Sequence, residues 1–136
     1  MRPWARNKRS LRLIAAERRC LVLESESLEA FDAVLAEHID RLQPVDVLEY
    51  TMVEDMVACY WRSRRAWAIE TRMQDKQIAA QDEGGDLDRA ANALCALAET
   101  PAPVLMHRYD GRLHMVYTRS LHTFLLVQEL RSPNEP

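Results

Sequence analysis

The chain has 136 residues, of which 48% are hydrophobic, and its formal net charge is -3. This composition predicts one cytoplasmic domain, since no apolar run reaches the roughly 18 residues of a membrane span and no signal-peptide core begins the chain. Three widely spaced cysteines favour reduced, buried thiols over a disulfide framework.

Positive charge is concentrated at the N-terminus. Residues 1–20 carry seven basic residues against the single acidic Glu17, and the rest of the chain carries a net charge of -9. We therefore divide the chain into a basic arm (1–20), a helical bundle domain (21–131) and a C-terminal tail (132–136). Such an arm can contact nucleic acid, direct targeting to an organelle, or fold back onto the acidic body. The predicted nucleic-acid-binding residues are Arg2, Trp4, Arg6, Lys8, Arg9, Arg12, Arg18 and Arg19.

Two helices are predicted in the first half of the domain. Apolar residues recur at alternating spacings of 3 and 4 over about 28–42, and Ser27 is a suitable N-cap. Asp46 and Glu49 give a capping-box-like start to a helix over about 47–80, which contains neither Gly nor Pro. At about 1.5 Å per residue this helix is roughly 50 Å long, so we expect an elongated bundle or one part of an oligomer.

A linker separates the two halves of the domain. Gly84 and Gly85 favour a turn, and Asp86 can cap a helix over about 86–99. We expect the apolar face of that helix to carry Leu87, Ala91, Leu94 and Ala98.

The final segment allows two interpretations. Asp110 followed by Gly111 is a strong signal for a β-hairpin over 104–118, because that turn needs positive φ at both central positions. An apolar stripe fits a helix over about 102–131 instead. We favour the helix, because one internal Gly costs only about 1 kcal/mol relative to Ala.

Motifs for catalysis or cofactor binding are missing from the sequence. It contains no Gly-rich phosphate loop, nucleophile elbow, HExxH or CxxC, nor the Glu-x-x-His pairs of di-iron bundles. Asp110 and His114 are one helical turn apart, but a lone pair of this kind is more often a solvent-facing contact than a metal site. We therefore predict no enzyme activity, no metal and no cofactor.

Charged and aromatic residues cluster in the middle of the long helix. Arg62, Arg65 and Arg72 share one face, which suits phosphates if Trp61 stacks on a base. We prefer a structural interpretation, an ion-pair network beside an aromatic core. Its predicted members are Glu54, Trp61, Arg62, Arg65, Glu70 and Tyr109. A second basic strip on the last helix is interpreted as a charged outer face, formed by Arg108, Arg112, Arg119 and His122.

Four stretches carry a resemblance to other proteins: RNKRS near the start, LVLESES before LEAFDAVLAEHIDRLQP, VEDMVACYWRSRRAWAIE, and HRYDGRLHMVYTRSLHTFLLVQELR followed by NEP. With them the chain resembles a group of small, uncharacterised helical bacterial proteins that are often encoded in many copies per genome. Such proteins usually carry an N-x-x-x-H-G motif before the apolar turn, where this chain reads IAAERRC and lacks both the His and the Gly. The positions matching the group's pattern are Glu54, Trp61, Arg62, Arg65, Glu70, Arg108, Tyr109 and Leu113. The resemblance implies helices and a bacterial origin, and it leaves the function open.

The expected fold is thus an all-α, elongated helical bundle with two long helices and two shorter ones. The expected function is that of a non-catalytic nucleic-acid-associated or mobile-element accessory protein, which uses the basic arm to bind DNA or RNA. The alternative is a structural, oligomerisation or protein-protein interaction module, whose partner is a second copy or another helical protein.

Overall fold

The structure, a computed structural model, describes residues 21–131, and the predicted all-α helical bundle is confirmed. The helices are α1 (Leu28–Leu42), α2 (Val47–Ala79), α3 (Asp86–Ala98) and α4 (Ala102–Arg131), and no β-strand occurs among the described residues. Each predicted helix is present with its ends within one residue. The hairpin alternative is wrong, because residues 104–118 lie inside α4. The predicted arm (1–20) and tail (132–136) lie outside the described residues.

Side-chain hydrogen bonds cap the N-terminal ends of α1 and α2. The Ser27 hydroxyl accepts a hydrogen bond from the backbone N–H of Ala30 at 3.1 Å, which confirms the predicted N-cap of α1. At the start of α2, the Asp46 carboxylate accepts from the N–H of Glu49 at 2.9 Å. The Glu49 carboxylate in turn accepts from the N–H of Val45 at 2.8 Å. The predicted capping box is present, with its return bond one residue earlier than in the usual form.

The linker before α3 depends on a glycine conformation. Gly84 has a φ of 102°, a region that residues with a Cβ rarely adopt. The N-cap of α3 is Gly85, which has no side chain to bond the first turn. The predicted cap, Asp86, is instead the first helical residue, where its negative charge is favourable beside the positive end of the helix dipole.

The described chain divides into two compact units. The first unit contains residues 21–59 and 117–131 of the described chain, and the second unit is Tyr60–Val116. Both long helices contribute residues to each unit. None of the helices in the described residues is long and apolar enough to cross a membrane.

The first unit has a core of large apolar side chains. Its buried hydrophobic residues are Phe31, Leu35, Val53, Met56, Val57, Cys59 and Phe124. They follow the predicted spacing on α1 and occupy successive turns of α2, so one continuous apolar face is shielded from water.

Polar contacts join the helices of the first unit to one another. Glu49, which is fully buried, forms an ion pair with Arg131 at the end of α4. The Gln128 amide donates a hydrogen bond to the carbonyl of Leu42 at 3.0 Å and so satisfies an acceptor at the end of α1. Nε2 of His38 lies 3.1 Å from the Tyr117 hydroxyl.

The second unit buries fewer and smaller side chains. Its buried hydrophobic residues are Ala66, Ala93, Leu97 and Leu113. Both described cysteines are free, but Cys95 in this unit is exposed, so the expectation of a buried thiol is wrong there because Cys95 lies outside the α3 face that carries Ala93 and Leu97.

Candidate protein-interaction surface

A carboxylate bridge joins α2 to α4 in the second unit. Ser63 and Trp67 are one turn apart on α2, and both donate hydrogen bonds to Asp110 of α4. The Ser63 hydroxyl is 2.7 Å from Oδ1, and the Trp67 indole nitrogen is 3.2 Å from Oδ2. The hydrogen bond from Ser63, followed by that from Trp67, lowers the pKa of the Asp110 carboxyl below its ordinary value of 3.8.

Aromatic rings and a guanidinium group lie beside this bridge. The Arg64 guanidinium carbon is 5.7 Å from the centre of the Tyr60 ring and 5.6 Å from that of Trp67, within cation-π range of both. Tyr60, Arg64 and Trp67 follow helical spacings of 4 and 3, so they lie along one face of α2. We call Tyr60, Ser63, Arg64, Trp67 and Asp110 the Trp67 cluster.

A groove with an apolar floor lies further along the same two helices, where α3 supplies its other wall. The residues that define this α3 groove are Glu70, Met73, Leu94, Leu97, Ala98 and Met106, and Gln74 and Pro103 complete its lining. Its enclosed volume of about 100 Å³ is well below the several hundred Å³ of sites for drug-sized ligands. The groove therefore suits a few side chains of another polypeptide better than a whole small molecule.

The hydrogen bonds of the Trp67 cluster hold α2 and α4 together beside the α3 groove. Met106 is one helical turn before Asp110 on α4, and Glu70 follows Trp67 by three residues on α2. Because the helices run antiparallel at the bridge, the next turn of each brings Met106 towards Glu70 and Met73.

The predicted apolar face of α3 is largely exposed. Leu87 is 82% exposed and Leu94 is 63% exposed, and Ala91 and Ala98 are exposed as well. The buried face of α3 carries Ala93 and Leu97 instead. The predicted apolar face of α3 is therefore not the face that this chain buries, because α3 packs through the neighbouring face with Ala93 and Leu97. We call Leu87, Ala91, Leu94 and Ala98 the α3 stripe.

The exposed charged residues of α3 and of its C-cap are acidic. Asp86 and Asp88 are exposed in its first turn, and Glu99 is exposed at its C-cap. The one basic residue of α3, Arg89, donates a hydrogen bond to the carbonyl of Ile78 at 3.0 Å near the end of α2. Among the eight lining residues of the groove, Glu70 is the one that carries a charge.

The predicted network residues have mixed environments. Glu54, Trp61, Arg62 and Arg65 are half-buried, whereas Glu70 and Tyr109 are exposed. Asp110, the residue after Tyr109, accepts the hydrogen bond from Ser63 on α2. The ion-pair network as a whole stays a prediction. The eight predicted nucleic-acid-binding residues all lie within 1–20, outside the described residues.

Arg108 and Arg112 lie on α4 two residues before and after Asp110, so they point away from the Trp67 cluster. Both are exposed, as is Arg119, in line with the expected charged outer face. Within residues 21–131, no group of three or more His, Cys, Asp or Glu side chains is placed to hold a metal ion.

No protein family, curated protein or solved structure matches this chain.

Sequence reasoning missed the Trp67 cluster. Its partners are 43 and 47 residues apart along the chain, and no local pattern joins them. The available signal was Asp110 itself, a carboxylate beside the apolar stripe of a predicted helix, where donors from a neighbouring element can reach it. Ser63 and Trp67, one turn apart on the facing helix, are such donors.

Proposed function

We propose that this protein is a non-catalytic helical module that assembles with further copies of itself through the second unit. The observation that carries the proposal is the exposure of the α3 stripe beside an apolar groove. Exposed apolar side chains at spacings of 4, 3 and 4 form the kind of seam that another helical segment covers. Contiguous apolar surface of this sort on a small domain is typical of interaction sites.

The test is self-association measured by light scattering over a range of protein concentrations. The Leu94→Asp variant places a charge in the α3 stripe and should shift the protein towards the monomer, because the charge would be desolvated at the interface. Leu130→Asp is the matched control, since Leu130 is 83% exposed and lies in the first unit. A wild-type protein that is monomeric at every concentration, or equal effects of the two variants, would contradict the proposal.

The charge of the arm favours a second candidate function, a nucleic-acid-associated accessory protein. Seven basic residues in the first twenty can neutralise phosphates, and Trp4 can stack on an unpaired base. In this case affinity for an oligonucleotide falls with salt at a log-log slope near -0.9 for each phosphate neutralised on duplex DNA. Removing residues 1–12 should abolish binding, and equal binding by the truncated chain would reject this candidate.

A further inference from the structure

We propose that the occupant of the α3 groove is the basic N-terminal arm of a second copy of this chain, an inference that rests on the proposed self-assembly. The contact joins two different surfaces, the arm of one copy and the groove of the next. Such a heterologous contact closes into a ring or extends into a chain of subunits, depending on the rotation between copies.

Charge is the first argument for this occupant. The groove and the α3 stripe are bordered by exposed carboxylates, Glu70, Asp86, Asp88 and Glu99, while Arg89 is engaged with the Ile78 carbonyl. A second groove of the same kind would bring carboxylates together, which is unfavourable. The arm has a net charge of +6, so these carboxylates attract it.

Apolar content is the second argument. The arm contains Leu11, Leu13 and Ile14 between Arg9, Arg12 and Arg18, so it can place apolar side chains on the groove floor while its charges reach the border. The floor includes Met73 and Met106, whose flexible thioether side chains adapt to differently shaped partners. An amphipathic basic segment in a groove with methionines is a recurring mode of peptide recognition.

The experiment is a charge swap in the full chain, with self-association measured by sedimentation and light scattering at low salt. Glu70→Arg should weaken association by about threefold to tenfold, because it converts an attraction to the arm into a repulsion. Arg9→Glu with Arg12→Glu should weaken it similarly, whereas the control Arg9→Lys with Arg12→Lys keeps the charge and should retain it. Combining Glu70→Arg with the arm reversal should recover part of the loss, and raising the salt concentration should reduce every difference.

The outcomes separate this inference from the proposed function. If Leu94→Asp disrupts association while Glu70→Arg and the arm reversal do not, the module assembles without the arm and the inference is overturned. Loss on arm reversal without any recovery in the combined variant also overturns it, because the arm then acts elsewhere. If the wild-type chain does not associate, both proposals fail. Glu70 is exposed, so unchanged circular dichroism should accompany its substitution.

Discussion

The first unit buries several large side chains completely, whereas the second unit buries fewer and smaller ones, and both units leave some large apolar side chains exposed. Phe124, Met56, Val53 and Val57 are fully buried in the first unit. In the second unit the most deeply buried residues are the small Ala66 and Ala93, while Leu87 and Leu94 remain largely exposed. Burial of apolar area is the main source of folding free energy, so the difference assigns most of the stability to the first unit.

The two units also differ in charge. Residues 21–59 and 117–131 contain eleven acidic and three basic residues, whereas residues 60–116 contain eight of each. Repulsion among the acidic residues opposes folding of the first unit, and its large core offsets that cost. The balanced second unit has no such repulsion and can be stable with a smaller core. In each unit, the size of the buried core thus matches the electrostatic repulsion that it has to offset.

The largest expected effects, which test this comparison, come from substitutions in the two cores. Phe124→Ala should lower the free energy of unfolding by about 3 to 5 kcal/mol, because a fully buried ring leaves a large cavity. Leu113→Ala in the second unit should cost less, near the lower end of about 2 to 5 kcal/mol, since that unit buries fewer large side chains. Urea denaturation followed by circular dichroism measures both. Equal losses would show that the second core is as tightly packed as the first.

The buried carboxylate of the first unit gives the next effect. Arg131→Ala leaves Glu49 fully buried without its cation, which should cost about 3 kcal/mol. Glu49→Gln removes that charge and leaves an Arg131 side chain that is 40% exposed and can be hydrated, so its cost should be smaller. The same denaturation experiment compares the two variants. A larger loss for Glu49→Gln would contradict the expectation that the unpaired buried carboxylate is the costlier of the two changes.

The carboxylate bridge of the second unit should contribute less. Asp110→Asn weakens the hydrogen bonds from Ser63 and Trp67, and a loss of about 1 kcal/mol is expected at neutral pH. Because these bonds lower the pKa of Asp110 in the folded state, the unfolded chain takes up the proton first as the pH falls. The stabilisation is therefore complete above the ordinary pKa of 3.8 and is lost as the pH falls through the lower folded-state pKa.

Urea curves of the wild-type protein and Asp110→Asn at several pH values check this dependence. The stability difference should be constant at neutral pH and should shrink at acid pH. A difference that does not change with pH would show that the charge of Asp110 does not contribute to the stability that the bridge provides.

The helices could be predicted from the sequence, but the faces they use could not. Pro44, the Gly84–Gly85 pair and Pro101 interrupt the chain, and long apolar periodicity lies between them, so the helix ends follow from local chemistry. The α3 stripe shows the limit of this reasoning. Periodicity identifies an apolar face without saying whether that face meets this chain or another one, and the alanine-rich face of α3 packs inside while the leucine-rich one is exposed.

The candidate site was less predictable, for a related reason. Trp61 was predicted as a member of the structural network, and the tryptophan that donates a hydrogen bond to Asp110 of α4 is Trp67. The two tryptophans are six residues apart on α2, about a third of a turn from alignment, so they lie on different faces. The face of α2 that packs against α4 is set by contacts between residues more than forty positions apart in the chain. Local sequence patterns therefore do not predict it.

The smallest effect concerns the glycines of the second unit, and it distinguishes the helix from the hairpin. A Cβ added at Gly111 would meet no atom within 4 Å. Since the residue is helical, Gly111→Ala should stabilise the protein by about 0.5 to 1 kcal/mol, because alanine loses less backbone entropy on folding.

Gly84→Ala is the matched control for that substitution. At Gly84 the φ is 102°, and an added Cβ would lie 3.1 Å from Cβ of Asp88, so the same change should be destabilising. Thermal denaturation of both variants should therefore give shifts of opposite sign. If Gly111→Ala were also destabilising, Asp110 and Gly111 would form a positive-φ turn, α4 would not be continuous, and the bridge from Asp110 to Ser63 and Trp67 would lose the rigid helix that positions it.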